Sequence, residues 1–380
     1  MPNYDYIIIG GGASGLLLAH TFASDDFFKS KSILILDKDD KTKNDRTWCF
    51  WEKGDGKFDH LLYKKWSKIY FAGKKLRLSK SIEPYSYKML RGIDFYNHYI
   101  KIVKASPNIT WIKDHVTDIR ENGNGGIVST QTKSYSGKII FNSIFDYTKV
   151  QSQKKYPVLQ QHFLGWFIKT DNTIFNPDEA TFMDFSIPQK GNTRFMYILP
   201  FSKNEALLEY TLFSEAPLEH SEYEEGILDY IENKLDCPNY TILEKEHGNI
   251  PMTCYEFHQH NSDSVMNIGI AGGWAKPSTG FTFYNTSKKV DALIVHLKKN
   301  RPLSQFHKKD KFWFYDLLLL DILYRTNHLG QSIFESLFKK RKPQLIFKFL
   351  DNETSFWEDL LIMSAPKPLP FVKALFKRLF

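Results

Sequence analysis

The sequence predicts an α/β fold with α+β elements: a Rossmann-like dinucleotide-binding domain, a β-sheet substrate domain and a helical C-terminal region. Three observations predict it. The stretch "DYIIIGGGASGLLLAH" (5–20) runs from an apolar strand through a glycine cluster into a helix-forming segment. From about 155 to 250, alternating strands carry many aromatics, and beyond about 303 the chain reads as helical, aromatic and basic. At 380 residues, 42% hydrophobic and 25% charged, the chain has the length and composition for two folded domains.

Taken in order, residues 5–9 predict a fully buried parallel strand and 14–23 the helix after it. "SILILD" (32–37) predicts the second parallel strand, which completes a βαβ unit. Strands are expected at 108–113 and 115–121, then a turn at "NGNGG" (122–126), a strand through "IVSTQT" and a buried strand over 138–147. Residues 194–202 and 206–214, joined by a short polar turn, predict a hairpin. Ile227, Leu228, Ile231 and Leu235 have the spacing of a helix over 222–235. Residues 264–281 repeat the strand, glycine turn and helix pattern of the N-terminus. The expected division is 1–75 with 96–150 and 255–303 for the nucleotide domain, 76–95 with 151–254 for the substrate domain, and 304–380 for the tail. No internal repeat or low-complexity segment interrupts it.

Gly10, Gly12 and Gly15 form G-x-G-x-x-G at the end of a strand. They supply a tight turn, a close backbone approach to a pyrophosphate and close helix–strand packing, with the helix opening at Ala13 toward phosphate charge. Asp37 ends the next strand, 22 residues beyond Gly15, where with Lys38 it is placed to meet an adenosine ribose. The late turn "GIAGGWAKPSTGF" (269–281) offers Gly272, Gly273, Thr279 and Gly280 as a second contact to an extended cofactor. That favours FAD over NAD; the alternative for 269–281 is a structural loop and helix start.

The aromatic share of 16%, with 31 Phe and 20 Tyr, exceeds ordinary packing needs and suits a site for something large and apolar. A net charge of +8 fits nucleic acid, an anionic membrane surface or a merely Lys-rich composition. No nucleic-acid recognition motif accompanies the charge, so no nucleic-acid partner is expected. Three cysteines, Cys49, Cys237 and Cys254, lack metal-type spacing and favour a reducing compartment. The chain enters its first strand at once, so no leader is expected. "FWFYDLLLLDILY" (312–324) is too short for a membrane span and contains Asp316 and Asp321.

"DRTWCFW" (45–51), "YSYKMLRGIDF" (85–95), "LLEYT" (207–211), "GNIPM" (248–252) and "AGGWAKPSTGF" (271–281) give the whole chain a pattern that resembles the lycopene cyclases, a branch of the FAD-dependent aromatic-hydroxylase-like fold. The resemblance implies a flavin enzyme that closes β-ionone rings at the ψ-ends of lycopene, giving γ-carotene and then β-carotene. It implies an isomerisation with reduced FAD, no net electron transfer, and NAD(P)H as reductant. It also implies a peripheral place on the cytoplasmic side of the membrane, with other carotenoid-pathway enzymes as candidate partners.

Within that resemblance Glu209 matches the first acid of a Leu-Glu-Glu-Thr or Leu-Glu-Asp-Thr signature with an acid/base role. Leu207, Glu209, Thr211 and Phe213 would share one strand face, setting a lone carboxyl among apolar neighbours, where desolvation keeps it protonated. The alternative is a strand glutamate facing solvent. Tyr210 replaces the second acid, which excludes a carboxylate pair at 209 and 210. Ile270 stands where the general flavoprotein "GD" motif has its Asp. Trp48, Phe50, Trp51 and Tyr210 are expected to contact substrate, the first three by facing a carbocation or, alternatively, as core packing. Arg46 and Arg91 are expected against flavin or phosphate, with a surface salt bridge the alternative for Arg91. Glu256, His258 and His260 would share one strand face, but no second ligand pair accompanies them and no metal is expected. The basic cluster at 338–348 and the terminal "PFVKALFKRLF" predict an interfacial helix. Lys373 and Lys377 would lie on one side of it, with Phe371, Leu375, Phe376 and Leu379 on the other; a terminal helix packed on the protein is the alternative. Rival functions are an FAD-dependent monooxygenase or isoprenoid reductase, which would consume NAD(P)H stoichiometrically, and a non-catalytic carotenoid-binding protein.

Overall fold

A computed structural model describes residues 1–123 and 125–379. The chain runs β1 (Asn3–Ile9), α1 (Ala13–Ser24), β2 (Ile33–Asp37), β3 (Thr47–Lys53), β4 (Lys64–Trp66), β5 (Lys68–Ala72), β6 (Arg77–Ser81), β7 (Tyr85–Arg91) and α2 (Gly92–Ala105). It continues through β8 (Ile109–Lys113), β9 (Val116–Glu121), β10 (Gly126–Thr130), β11 (Ser134–Asn142), α3 (Tyr147–Gln151), β12 (Leu159–Thr170), β13 (Glu179–Asp184), β14 (Thr193–Pro200) and β15 (Glu205–Ser214). The remainder is α4 (His220–Asn233), β16 (Tyr240–Met252), β17 (Val265–Asn267), α5 (Phe283–Lys298), α6 (Lys311–Arg325), α7 (Gly330–Lys340), α8 (Pro343–Leu350), α9 (Phe356–Met363) and α10 (Pro368–Leu379). The expected turn at 122–126 includes Asn124, which lies outside the described residues.

The first sheet has the order β8-β2-β1-β11-β10-β9, with β17 beside β11. β1 pairs in parallel with β2 and β11, so its Ile7, Ile8 and Ile9 are buried from both faces. On one face Ile8 and Ile35 meet Leu16, Leu18 and Phe22 of α1, Phe95 of α2 and Leu293 of α5. The βαβ reading of residues 5–37 holds.

The second sheet has the order β16-β12-β15-β14-β13-β5-β6. Its centre is the expected hairpin of β14 and β15, closed where Ser202 Oγ accepts the N–H groups of Asn204 and Glu205. Side chains of β15 alternate between two cores. Leu208, Tyr210 and Leu212 lie under Ile227 and Ile231 of α4. Leu207 and Phe213 lie on the other face, with Phe334 and Phe338 of α7 and Phe347 of α8. A third sheet, β3-β7-β4, packs Trp51, Trp66 and Tyr87 into that same core.

Three expectations differ. A boundary at 75/76 would part β5 from β6, which pair with each other; β5 also pairs in parallel with β13, over a hundred residues on. The expected strand over 138–147 ends at Asn142, and Asp146 caps α3. Residues 257–260 form a 3-10 turn, so Glu256, His258 and His260 do not share a strand face. Glu256 instead meets Lys309 at 2.8 Å, and His258 stacks on His307 at 4.0 Å. Among the described residues, no group of three or more His, Cys, Asp or Glu is placed to hold a metal.

After β17 the late glycine stretch makes a 3-10 turn at 269–272, and its helix does not begin until Phe283. Gly273 and Gly280 both take φ +70°, which interrupts the helix. The intervening loop is fixed by a buried ion pair. Lys276 Nζ donates to both carboxylate oxygens of Asp316 on α6, at 2.8 and 2.9 Å, and to Asn352 at 2.9 Å, while Ser278 donates to Asp316 at 2.7 Å. No described helix is long and apolar enough to cross a membrane.

Removing the lysine leaves a buried charge without its partner. Lys276→Met is expected to lower unfolding free energy by about 3–5 kcal/mol in urea titration. The double variant Lys276→Met/Asp316→Leu should recover most of that loss.

Candidate active site

The dinucleotide cradle is built at the end of β1. Gly10 takes φ +97°, and a Cβ at Gly15 would stand 1.9 Å from the Gly10 carbonyl oxygen, so the turn and the helix contact both need glycine. Gly12 is different: a Cβ there would meet no atom within 4 Å. Gly12 also caps α1 without any side-chain hydrogen bond, so the helix entry beginning at Ala13 is open on that side. Asp37 is buried and accepts from the backbone N–H groups of Gly11 and Asp39. Lys38 is exposed. The late turn comes to the same place, because a Cβ on Gly269 would stand 2.6 Å from Ser14 Oγ. The two glycine turns, far apart in the chain, therefore lie side by side.

A cavity of about 320 Å³ lies between the second sheet and the C-terminal helices, with Ile270 of the late glycine turn in its wall. Arg46, Trp48, Gln161, Ile270, Thr279 and Gly280 line it, as do Leu337, Phe338, Met363, Pro366 and Phe371 of the C-terminal region. Phe163, Phe182, Phe195, Phe213 and Phe281 complete an aromatic wall. Gln161 Oε1 and Thr279 Oγ1 are buried polar atoms without a protein partner. Such atoms in a cavity wall fit a bound polar ring edge or ribityl chain. The open Gly12 and uncapped α1 fit a pyrophosphate, so the residues present suit FAD.

Among these apolar walls stand two carboxyls. Glu209 on β15 is buried and accepts from Thr211 Oγ1 at 2.5 Å. Glu246 on β16 is buried and accepts from Thr47 Oγ1 at 2.6 Å, while its Oε1 has no partner. Burial drives the Glu209 carboxyl well above the usual range, and the charge of Glu246 adds to this against the Thr211 hydrogen bond. Burial also raises Glu246, with Thr47 and the positive charges of Arg46 and Arg91 pulling it back. Glu209 is thus buried as its strand face implied, but it is not a lone carboxyl. Tyr87 and Tyr197, whose hydroxyls are 2.7 Å apart, line the same wall.

The other expected site residues divide. Trp48 lines the cavity, stacked on Phe283 at 4.9 Å. Phe50 stacks on Tyr284 at 5.4 Å, and Trp51 stacks on Phe347 at 4.7 Å while donating to Asp351 at 2.8 Å; neither lines the cavity. Tyr210 faces the opposite side of its strand, under α4, where its hydroxyl accepts from Arg194 at 2.9 Å. It is therefore turned away from the site expected for it. Arg46 lines the cavity, whereas Arg91 is paired with Glu244 at 2.8 Å and lies over Tyr63. Gly272 and Gly273 form the turn beside α1, and Thr279 and Gly280 reach the cavity itself. Glu246 was missed by sequence reasoning; its position two residues before "GNIPM" was the signal available.

A family model described as lycopene cyclase protein matches residues 5–376. A curated lycopene beta-cyclase of Paracoccus sp. (strain N81106 / MBIC 01143) is 24% identical over 199 residues, covering 50% of this chain and 48% of that protein. The match thus spans about half the length of that relative. Among solved structures, a geranylgeranyl bacteriochlorophyll reductase-like protein from Thermoplasma acidophilum aligns with a TM-score of 0.61 at 13% identity, covering 99% of each chain. A flavin-dependent brominase aligns at 0.59 and 14%, also over 99% of each. The fold is the one these two proteins share.

The raised carboxyls couple stability to pH with an inverted sign for acids. Where the folded state keeps a proton that the unfolded chain has released, stability falls as pH rises, by about 1.4 kcal/mol per proton per pH unit. Urea midpoints of the wild type should fall as pH climbs from the ordinary carboxylate range toward alkaline values. Glu209→Gln should flatten that slope, and an unchanged slope would mean that Glu209 is ionised in the folded protein.

Proposed function

The chain belongs to the lycopene cyclase family, and we propose that it is a lycopene β-cyclase, closing β-ionone rings at the ψ-ends of lycopene by way of γ-carotene to β-carotene. The observation that carries this is a buried carboxyl, Glu209, inside a cavity walled by phenylalanine, where burial pushes it above the usual carboxylate range. A polyene end needs such a group. Its terminal alkene is attacked only by an acid that still has its proton at neutral pH, and the cation so formed is lost if water reaches it.

Glu209 gives its proton to the alkene, the cation draws the neighbouring double bond into a six-membered ring, and a ring proton leaves. Phe163, Phe195, Phe213 and Phe281 exclude water from that sequence, and Trp48 adds a further aromatic wall. Gly10, Gly12, Ala13 and Gly15 with Asp37 would hold the ADP part of FAD, and Thr279, Gly280 and Gln161 its flavin end. Bound and reduced by NAD(P)H, FAD supplies an electron-rich ring system that favours nearby positive charge.

We place the protein on a membrane surface, on the cytoplasmic side that the resemblance implies, and an exposed apolar face beside the cavity supports contact with a surface. Met363, Pro366 and Phe371 line the cavity. Beside it α9, started by a capping box at Ser355 and Glu358, turns Phe356, Trp357, Leu360 and Leu361 outward, with Trp357 74% exposed. Leu369 and Val372 of α10 add to this surface. Lys340 and Arg341 donate to the carbonyls of Ala365 and Leu361, bringing positive charge to its edge. α10 is only partly the helix expected: Phe371 and Leu375 pack on Leu318 and Ile322 of α6, and Arg378 is clamped to Asp321 at 2.6 and 2.7 Å.

Two experiments test this reading. In lycopene-accumulating bacteria the wild-type protein should produce cyclic carotenes without stoichiometric NAD(P)H consumption, and Glu209→Gln should lower conversion about a hundredfold or more. Stoichiometric reductant use would favour a monooxygenase or reductase, and unchanged lycopene would refute cyclisation. For the surface, Trp357→Glu/Leu361→Glu should cut sedimentation with anionic vesicles at least about tenfold; equal sedimentation would remove α9 from the docking face.

A further inference from the structure

Glu209 and Glu246 are brought together by a glycine between them. In the second sheet β12 lies between β15 and β16, and Gly165 of β12 is the direct cross-strand neighbour of Glu209 on one side and of Glu246 on the other. Directly paired residues point to the same face of a sheet, so both carboxyls project into the cavity from one row. Any side chain at 165 would fill the interval. A Cβ there would stand 2.9 Å from Leu207 Cδ1, 3.1 Å from Glu246 Cγ and 3.5 Å from Glu246 Oε1. The same row reaches Tyr197 on β14, the next cross-strand partner of Glu209.

The two acids have unequal surroundings. Burial and the charge of Glu244 raise Glu246 as well, but Thr47, which donates to it, and the positive charges of Arg46 and Arg91 favour its charged form. No cation offers Glu209 comparable help. Glu246 Oε1 remains buried and unpartnered in the cavity wall, an acceptor with nothing yet to accept from. We propose that Glu246 is the base partner of Glu209, so that a pair of carboxyls facing across Gly165 shares one proton, donor on β15 and acceptor on β16.

This rests on the cyclase reading and completes its proton balance. Glu209 starts protonated and Glu246 charged. The alkene π pair takes the Glu209 proton, and the neighbouring π pair forms the ring carbon–carbon bond. The electrons of a ring C–H bond become the ring double bond as that proton passes to Glu246. One proton enters and one leaves, so the product is an isomer and no oxidant or reductant is consumed. Transfer of the proton from Glu246 back to Glu209 across the glycine gap restores the starting state.

The test uses the full-length flavin-loaded protein with lycopene, following ring formation against pH. The wild type should show a bell-shaped profile, its acid limb set by charging of the acceptor and its alkaline limb by loss of the donor's proton. Glu246→Gln should lower turnover about a hundredfold or more, with flavin spectrum and bound lycopene unchanged, and its residual rate should lack the acid limb. Thr47→Val, which removes only the hydrogen bond to the charged form, should move the acid limb to higher pH; this variant decides the matter if Glu246→Gln does not fold. A Glu246→Gln protein with wild-type turnover, or an acid limb unmoved in Thr47→Val, overturns the pair while leaving Glu209 as donor. A wild-type protein that leaves lycopene unchanged overturns the cyclase reading and the pair together.

Discussion

An acid placed among phenylalanines keeps its proton because the charged form would have no water around it. Glu209 is the acid so placed, and burial pushes its carboxyl above the usual range. The second sheet has two faces, and β15 feeds both. Its even-numbered residues from Leu208 to Leu212 make an ordinary core under α4, while Leu207, Glu209, Thr211 and Phe213 face the opposite way. The ordinary core holds the strand rigid, and the opposite face can then bear a hydrogen-bonding group at a fixed position. The helices from α6 onward close over this face.

The same construction joins the two halves of the molecule. The first sheet ends in a glycine turn with an open edge at Gly12, and the late turn at 269–273 packs beside it. The loop that follows is held to α6 by the buried Lys276–Asp316 pair and reaches the cavity at Thr279 and Gly280. A buried ion pair is a costly way to hold a loop, yet it fixes geometry well because neither charge has another partner nearby of equal strength. The loop therefore runs from the paired glycine turns to the cavity that holds Glu209.

Much of this was legible in the sequence where the signal is local. The strand, glycines, helix and acid of residues 5–37 are continuous, and period-two alternation placed Glu209 on one face with Leu207 and Phe213. Alternation also implied that Tyr210 points away from Glu209, as it does. What was not legible depends on partners far along the chain. β16 carries Leu243 outward at 57% exposure and Glu246 inward, the reverse of what hydrophobicity suggests, because its inner face meets the cavity wall and the Arg46 and Arg91 region rather than a packed core. The gap at Gly165 has meaning only once β15 and β16 are known to flank β12. Likewise Phe50 and Trp51 read the same as Trp48 in sequence, but the neighbours Tyr284 and Phe347 that absorb them come from α5 and α8.

The most direct measurement is the infrared difference spectrum between the wild-type protein and Glu209→Gln at neutral pH. If burial holds the acid neutral, the wild type has a carbonyl stretch of a protonated carboxyl that shifts in deuterium oxide and is missing from the variant. A difference spectrum containing only carboxylate stretches would place a charge at 209, and the cavity would then hold no acid able to protonate an alkene from that position.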